Sequence, residues 1–430
     1  MKNYLLVLLL FFSTSVQMVL AELVIEITQG RDNPTAIAVV PFEWGGFGLP
    51  FEDVAGIIES DLLRSGQFSP VARTDMLGQP QRRSEVYYRD WRALNVEYLL
   101  IGRLSGSNSL LIEYELFDVY KQESILLASA RGQAEDVRML AHRVSDQVYQ
   151  KLTGTRGAFA TKIVYVSVAR QQVGHELYKL MLADADGYRQ EVVLEQYEPI
   201  LTPTWSPDGE NIAYVSFETT RPAIYIHNLL TGRRERLTNF KGLNNAPSWS
   251  PDGNSIAMVL SKDGSPDIYV MDLASRNLIR ITKHYAIETE PAWMPDGKSL
   301  VFTSDRGGRP QIYQVMLSSG QIERLTYEGK YNARARVSPD GRSLVMVHRH
   351  EGEYTIAIHD LKRDRLQRLT GSVLDESPSI APNGGMLLYS TKYLGKGILA
   401  AVSLDGGVKF RLPARGSDVR EPAWSPFISE

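Results

Sequence analysis

The chain has 430 residues, no cysteine and a formal net charge of −3, and charged residues of both signs make up 23% of it. This mixed, nearly neutral composition argues against a nucleic-acid-binding protein and gives no sign of binding to an anionic membrane surface. Without cysteine there is no disulfide framework, so the fold depends on a hydrophobic core, which a chain of this length can supply.

Residues 1–21 have the pattern of a secretory signal peptide. Lys2 precedes an apolar run from Tyr4 to Phe12, and the small residues Val19 and Ala21 suit cleavage after Ala21. The apolar run is short for a bilayer span, although an uncleaved anchor is the alternative. We therefore predict an exported chain without direct membrane insertion, whose charge becomes −4 when Lys2 is removed from the total of −3.

The predicted mature N-terminus, residues 22–34, alternates apolar and polar residues briefly and then becomes polar. Before Pro34 it consists of Glu22, Leu23, Val24, Ile25, Glu26, Ile27, Thr28, Gln29, Gly30, Arg31, Asp32 and Asn33. Such a segment can be a mobile tail, an edge strand of the first domain, or an extended strand that adds to a partner's sheet. The residues alone leave these alternatives open.

Residues 35–152 predict a small α/β domain. Strands are expected at 36–42, 68–72, 98–103, 110–118 and 124–131, and helices at 53–65, 89–94 and 135–152. The apolar residues of the last helix share one face and are Val137, Leu140, Ala141, Val144, Val148 and Leu152. Residues 153–161, which include Gly154 and Gly157, predict a linker.

A seven-residue motif recurs through residues 162–430. Its copies read PTWSPDG, PSWSPDG, PAWMPDG, ARVSPDG, PSIAPNG and, in shortened form, PAWSPF. The central residues are Trp205, Trp249, Trp293, Val337, Ile380 and Trp424, which are separated by 44, 44, 44, 43 and 44 residues. A period near 44 is typical of four-stranded propeller blades.

The end of the motif suits a tight turn, because Pro fixes its own φ, Asp accepts bonds from nearby amides and Gly tolerates positive φ. Calcium binding by the repeated aspartates is an alternative, but the spacing lacks the clustered oxygen ligands of a calcium loop. The apolar central residue predicts a wedge packed between neighbouring blades.

Three strand-like runs at 162–168, 177–184 and 191–194 precede the first motif and lack an inner strand, whereas the last motif has no strands after it. Joining the two ends completes a sixth blade and removes exposed sheet edges. We therefore predict an α/β N-terminal domain followed by an all-β six-bladed propeller that the C-terminal strand closes.

These features together resemble the TolB family. The likeness rests on the VVPF strand (Val39–Phe42), the KLTG segment (Lys151–Gly154), the WSPDG blades and the RPQIY run (Arg309–Tyr313), whereas Val337, Ile380 and Asn383 depart from the repeat. The resemblance implies a periplasmic adaptor of the Gram-negative Tol-Pal system, which supports outer-membrane integrity and constriction during cell division. It further implies that the propeller binds the lipoprotein Pal, that residues 22–33 bind TolA, and that Pal binding changes whether this segment is docked or free.

The predicted Pal-binding surface is formed by the mouth loops, which lead into the inner strands at one end of the central channel: 243–246, 287–290, 332–334, 375–377 and 419–421. The predicted contacts are Leu243, Asn245, Ala246, Glu288, Thr289, Glu290, Arg334 and Glu376. By resemblance, Leu243, Ala246 and Thr289 match family positions implicated in Pal contact, although Leu243 replaces the His of some relatives. The alternative is that these loops are only turns.

Catalysis is not expected, because no Gly-x-Ser-x-Gly elbow of a propeller-linked peptidase occurs. His348 and His350 share a strand face, but without a third ligand they predict strand-end polar residues and no metal site. No cofactor is expected, and we expect a monomer. A periplasmic propeller that binds a small ligand or peptide in its channel is the remaining alternative.

Overall fold

The computed structural model describes residues 33–46, 52–170, 175–372, 374–412 and 417–428, together with the backbone of residues 26–29. The predicted signal peptide, and residues 22–25 and 30–32 of the predicted N-terminal segment, lie outside the described residues. No helix within the described ranges combines the length and apolarity needed to cross a membrane.

The N-terminal domain is a mixed sheet with helices on both of its faces. The helices are α1 (Val54–Arg64), α2 (Tyr88–Ala93) and α3 (Val137–Thr153), with single 3₁₀ turns at Arg73–Asp75, Arg83–Glu85 and Ala134–Asp136. The central strands, in spatial order, are Phe68–Pro70, Thr35–Val39, Tyr98–Gly106, Ser109–Asp118 and Glu123–Gln133, and the short strand Glu43–Trp44 also pairs with Tyr98–Gly106.

Local sequence explains where these helices begin and end. The Asp53 carboxylate caps α1 by accepting from the Gly56 amide at 3.0 Å. Gly154 ends α3 with a φ of +77°, which glycine adopts without steric strain. The helices α1 and α3 bury their apolar faces on one side of the sheet, and Trp91 of α2 lies in the cluster on the other side.

Six antiparallel sheets follow, which we number as blades 1 to 6 in chain order. Blade 1 contains Lys162–Arg170, Glu176–Asp184 and Glu191–Gln196, with Asp418–Trp424 as its inner strand. Blade 2 contains Ile200–Trp205, Asn211–Ser216, Ala223–Asn228 and Arg234–Arg236; blade 3 contains Asn244–Trp249, Ser255–Leu260, Asp267–Asp272 and Leu278–Arg280; blade 4 contains Glu288–Trp293, Ser299–Ser304, Gln311–Met316 and Ile322–Arg324. Blade 5 contains Asn332–Val337, Ser343–His350, Glu353–Asp360 and Arg365–Arg368; blade 6 contains Glu376–Ile380, Met386–Tyr393, Lys396–Ser403 and Lys409–Arg411.

The predicted closure of the ring is confirmed, because Asp418–Trp424 pairs antiparallel with Lys162–Arg170. The Ser425 amide donates to the Lys162 carbonyl at 2.9 Å, and the Trp424 indole N–H donates to Thr161 Oγ1 at 2.8 Å. Blade 1 is thus assembled from the two ends of the propeller sequence.

The predicted wedge residues also lie between neighbouring blades. Trp205 packs in the cluster shared by blades 1 and 2, Trp249 in that of blades 2 and 3, and Trp293 in that of blades 3 and 4. The smaller Val337 and Ile380 fill the equivalent places between blades 4 and 5 and between blades 5 and 6. Hydrophobic packing therefore joins one sheet to the next, and the indole N–H groups of Trp205 and Trp293 add hydrogen bonds to the carbonyls of Ala423 and Ser248, both at 3.0 Å.

The N-terminal domain contacts the propeller at the end opposite the mouth loops, through a buried ionic cluster. Asp186, in the outer turn of blade 1, forms an ion pair with Arg138 of α3 and lies 3.5 Å from His142 Nε2. His142 Nδ1 lies 2.7 Å from Asp61 Oδ2 of α1. The group Asp61, His142 and Asp186 has the spacing of a metal site, but the adjacent guanidinium groups of Arg64 and Arg138 already balance its carboxylates.

Candidate partner-binding site at the channel mouth

Each inner strand contains a β-bulge at the channel mouth. The residue at the bulge has a φ between +47° and +56° in all six blades, and these residues are Thr202, Ala246, Glu290, Arg334, Ser377 and Glu421. The strand register shifts at the same points. A bulge redirects side chains locally, and all six residues line one cavity of about 40 Å³ in the channel.

A three-residue ion network crosses this ring. Arg334 Nε lies 2.7 Å from Glu290 Oε1, and Arg334 Nη2 lies 3.7 Å from Glu421 Oε1. The Arg334 amide and the Thr303 hydroxyl donate to Glu290 Oε2 at 2.8 and 3.0 Å. Burial alone lowers the pKa of Arg334, but the two carboxylates outweigh it and raise this pKa. The network holds blades 1, 4 and 5 together across the channel.

Arg336, two residues deeper in the same strand, has different surroundings. Its Nη1 donates to the Ala335 carbonyl at 3.0 Å, and it forms no ion pair with the residues that the structure describes. Burial lowers its pKa, although Glu290 and Glu421 act in the opposite direction. The channel therefore holds one well-paired and one poorly paired arginine.

The predicted Pal-binding residues divide into three groups. Leu243, Asn245 and Thr289 are half-buried near the mouth, and Glu376 is exposed there. Ala246, Glu290 and Arg334 belong to the ring of bulges. Glu288 is fully buried and its carboxylate accepts from Ser304 and Arg306, so it can meet a partner only if this ion pair opens.

Sequence reasoning missed a set of exposed apolar residues on the same end of the propeller. They lie in the loops before the inner strands or in the blade 6 hairpin: Tyr197, Tyr285, Ile287, Tyr327 and Leu394. Tyr285 is 87% exposed and Leu394 is 86% exposed. Large apolar residues within otherwise polar loops were the available signal. Several exposed apolar groups on one end of a protein indicate a protein-binding surface.

The backbone of Glu26–Gln29 lies at the outer edge of blade 6 as a fifth strand. Glu26 is opposite Arg411, Ile27 opposite Phe410 and Gln29 opposite Lys409. The alternative that this segment is a strand of the first domain is therefore wrong. Because the outer strand of blade 6 runs towards the mouth, the Glu26 end of the added strand is its mouth end.

The structure does not favour three alternatives from the sequence: a metal site at His348 and His350, a small-ligand site in the channel, and calcium binding by the turn aspartates. His348 is buried, and its Nδ1 lies 2.8 Å from Asn332 Oδ1, whereas His350 is half-exposed at the strand end. The cavity of about 40 Å³ is far smaller than the roughly 300–1,000 Å³ of small-molecule sites. Asp208, Asp252 and Asp340 accept hydrogen bonds from the serine and amide groups of their own turns. Stabilisation of the turn therefore accounts for these aspartates without calcium.

Comparison with known proteins covers nearly the whole chain. Family models described as the TolB amino-terminal domain and the TolB beta propeller domain match residues 23–125 and 149–428. The Tol-Pal system protein TolB of Marinomonas sp. (strain MWYL1) is 61% identical over 411 residues, which are 95% of each chain. That of Pseudomonas fluorescens (strain SBW25) is 55% identical over 406 residues, 94% of each chain. The crystal structure of TolB from Acinetobacter baumannii, 41% identical, superimposes with a TM-score of 0.87 over 94% of this chain and 100% of that chain.

Proposed function

The chain belongs to the TolB family of Tol-Pal system proteins, and from this premise we propose that it is a periplasmic adaptor with two protein contacts. The channel mouth binds the lipoprotein Pal, and residues 22–33 bind TolA. The leader is removed after Ala21, and the mature monomer serves outer-membrane integrity and constriction during division in a Gram-negative cell. It acts by contact and not by catalysis.

The observation that carries this proposal is the docking of the N-terminal segment on blade 6. A four-residue strand with three register pairs is a small attachment. Ordering a residue costs about 1–2 kcal/mol, and each new hydrogen bond returns only about 0.5–1.5 kcal/mol. The docked and free states of such a segment therefore differ little in free energy, and a partner can shift their balance.

The same geometry explains how the two contacts communicate. The docked strand uses its backbone to pair with blade 6, so the segment must leave this edge before it can pair fully with TolA. Its mouth end lies on the side of the propeller where Pal is proposed to bind. A contact at the mouth can therefore favour one position of the segment, which is a coupling between two sites.

The test is binding of the mature chain, with and without residues 22–33, to the soluble domains of Pal and TolA from the same organism. We expect Pal to bind both forms and TolA to bind only the intact one. A charge reversal at the mouth, Glu376→Arg, should weaken Pal binding, whereas Arg342→Glu at the opposite end should not. Failure of the intact chain to bind either partner refutes the adaptor function.

A further inference from the structure

The blade 6 hairpin, Met386–Tyr393 and Lys396–Ser403, extends beyond the corresponding hairpins of blades 2 to 4. Its strands have eight residues, whereas the second and third strands of blades 2 to 4 have six. At about 3.3 Å per residue, two further residues add about 7 Å on the mouth side. Only Leu394 and Gly395 connect the strands, with φ values of +50° and +79°.

Leu394 is an unfavourable residue for this turn. Two-residue connections with positive φ at both positions favour Asn, Asp and Gly, because a side chain with a large Cβ substituent is strained there. Leu394 also leaves an apolar side chain 86% exposed. Leu394 is thus unfavourable both for the turn conformation and for exposure to water. Such a residue indicates a functional role, here contact with a partner, and not a contribution to the stability of the fold.

Tyr393, next to Leu394, connects the hairpin tip with the outer strand of the blade. The Arg411 guanidinium carbon lies 3.7 Å from the centre of the Tyr393 ring, a cation–π contact of short range. Because the hairpin turn is tight and Tyr393 pairs directly with Lys396, movement of the tip also moves this ring.

Arg411 in turn belongs to the edge that receives the N-terminal strand, since it lies opposite Glu26 in the register. The contacts therefore run without a break from the exposed Leu394, through Tyr393, to the strand position that faces Glu26.

Blade 4 provides a matched comparison. Arg324, at the end of its outer strand, also stacks on an exposed tyrosine, with 4.7 Å between the guanidinium carbon and the centre of the Tyr327 ring. In the described part of the chain, no fifth strand pairs with this edge. The same chemical contact thus occurs at the mouth with and without an N-terminal strand beside it.

We propose that the blade 6 hairpin is a further contact for the mouth-binding partner, and that the Tyr393–Arg411 stack transmits this contact to the N-terminal strand. The inference rests on the proposed function and specifies its coupling. Lys392 and Lys396 flank the tip and are exposed, and neither forms an ion pair with the described residues. The fitting partner surface is an apolar recess with carboxylates at its rim.

The experiment uses the mature chain and the soluble domain of Pal. Amide hydrogen exchange at 409–411 reports whether the N-terminal strand is docked, and titration reports Pal affinity. In the wild type, we expect Pal to change the exchange at these amides. Tyr393→Val should bind Pal within about threefold of wild type, yet show no change in exchange. Tyr327→Val, measured at saturating Pal so that any loss of affinity does not matter, should keep the exchange change of the wild type.

Leu394→Asn tests the contact itself, because Asn suits the turn and removes the apolar tip. We expect about tenfold weaker Pal binding with an unchanged melting temperature. If Leu394→Asn binds as tightly as wild type, or if Tyr393→Val keeps the full exchange response, this inference is wrong while the adaptor function stands. If the wild type does not bind Pal, the adaptor function fails and this inference fails with it.

Discussion

At the scale of single residues, the two arginines of the channel, Arg334 and Arg336, are expected to differ in their contribution to the free energy of unfolding. Arg334 forms the ion pairs with Glu290 and Glu421, so its removal leaves these two carboxylates without the guanidinium group that they contact. Breaking a fully buried pair costs about 3–5 kcal/mol, but the Arg334 side chain is 27% exposed, which reduces the cost. We expect Arg334→Gln to lower the free energy of unfolding by about 2 kcal/mol, measured by chemical denaturation.

Arg336→Met is the matched control for that substitution. Met keeps the length of the side chain and removes a buried charge that has no carboxylate partner within the described structure, so stability should stay within about 1 kcal/mol of wild type or rise. A larger loss for Arg336→Met than for Arg334→Gln would contradict this account. From sequence, strand alternation predicts that both arginines face the same side and does not show which of them is paired. Their pairing differs because it depends on glutamates from other blades.

A second residue-scale prediction concerns pH and the interface between the domains. Burial lowers the pKa of His142, but the carboxylates of Asp61 and Asp186 outweigh it and raise this pKa above its usual 6.5. Burial raises the pKa of Asp146 to about 6 from 3.8. In both cases the folded state binds protons more strongly than the unfolded state, so their contributions to stability are lost as pH rises through the folded-state pKa values.

We therefore expect the melting temperature to fall as pH rises from about 4 to 6, where Asp146 loses its proton, and to fall further above pH 6.5 as His142 loses its own. His142→Gln should flatten this slope because glutamine does not titrate, whereas His350→Gln, at a half-exposed strand end, should leave it unchanged. Two other acidic groups near His142 behave differently. The pKa of Asp186 is held low by His142, Arg64 and Arg138, so it stays ionised, whereas Asp146, which also interacts with His142, loses its proton near pH 6 and contributes to the slope below that pH. An unchanged slope in His142→Gln would exclude this explanation.

At the scale of elements, the Arg-Leu-Thr and Arg-Ile-Thr runs at the end of the fourth strands have a clear structural purpose. In blades 2 to 5, the hydroxyl of Thr238, Thr282, Thr326 or Thr370 accepts from the amide of an isoleucine in the third strand, Ile224, Ile268, Ile312 or Ile356, at 2.9 to 3.0 Å. Blade 6 has Pro413 at this place. The repeat thus fixes the outer strand in four blades, and blade 6 departs from it where the N-terminal strand docks.

Thr282→Val should therefore destabilise the propeller. It keeps the shape and strand preference of the side chain but leaves the Ile268 amide without this acceptor, at a cost of about 1–2 kcal/mol. Denaturant midpoints would measure the change. Thr219→Val, in an exposed loop of blade 2, is the control and should change stability by less than about 0.5 kcal/mol; equal effects of the two substitutions would rule out the hydroxyl as the cause.

Most elements were predictable from sequence because their signals are local. The 44-residue repeat, the Asp-Gly turns and the apolar face of α3 each depend on neighbours along the chain, and the predicted helices differ from the observed ones by only one or two residues at their ends. The position of Glu26–Gln29 was not predictable, since its partner strand lies at 409–411. The ring of bulges was equally hidden, because Pro follows five of its six members without specifying their φ.

At the scale of the whole molecule, one strand determines whether the propeller is a ring. A chain that ends at Ser417 lacks the inner strand of blade 1, which would expose the inner edge of blade 1 and the face of blade 6 that packs against this strand, and would remove the Trp424 wedge. We expect a fall in melting temperature of more than about 10 °C and aggregation. A chain that ends at Phe427 retains this strand and should melt as the full chain does; cooperative melting of the shorter chain at the wild-type temperature would refute this role.

Closure by the last strand also dictates an order of events during biogenesis. A ribosome releases the N-terminal end first, so blades 2 to 6 can form before residues 418–424 are available, but blade 1 cannot be completed. The ring of blades therefore stays open, with blade 1 lacking its inner strand, until synthesis is almost finished. If the chain is exported as proposed above, this delay keeps the polypeptide unfolded enough to pass through a secretion channel, and pairing of the final strand then completes folding.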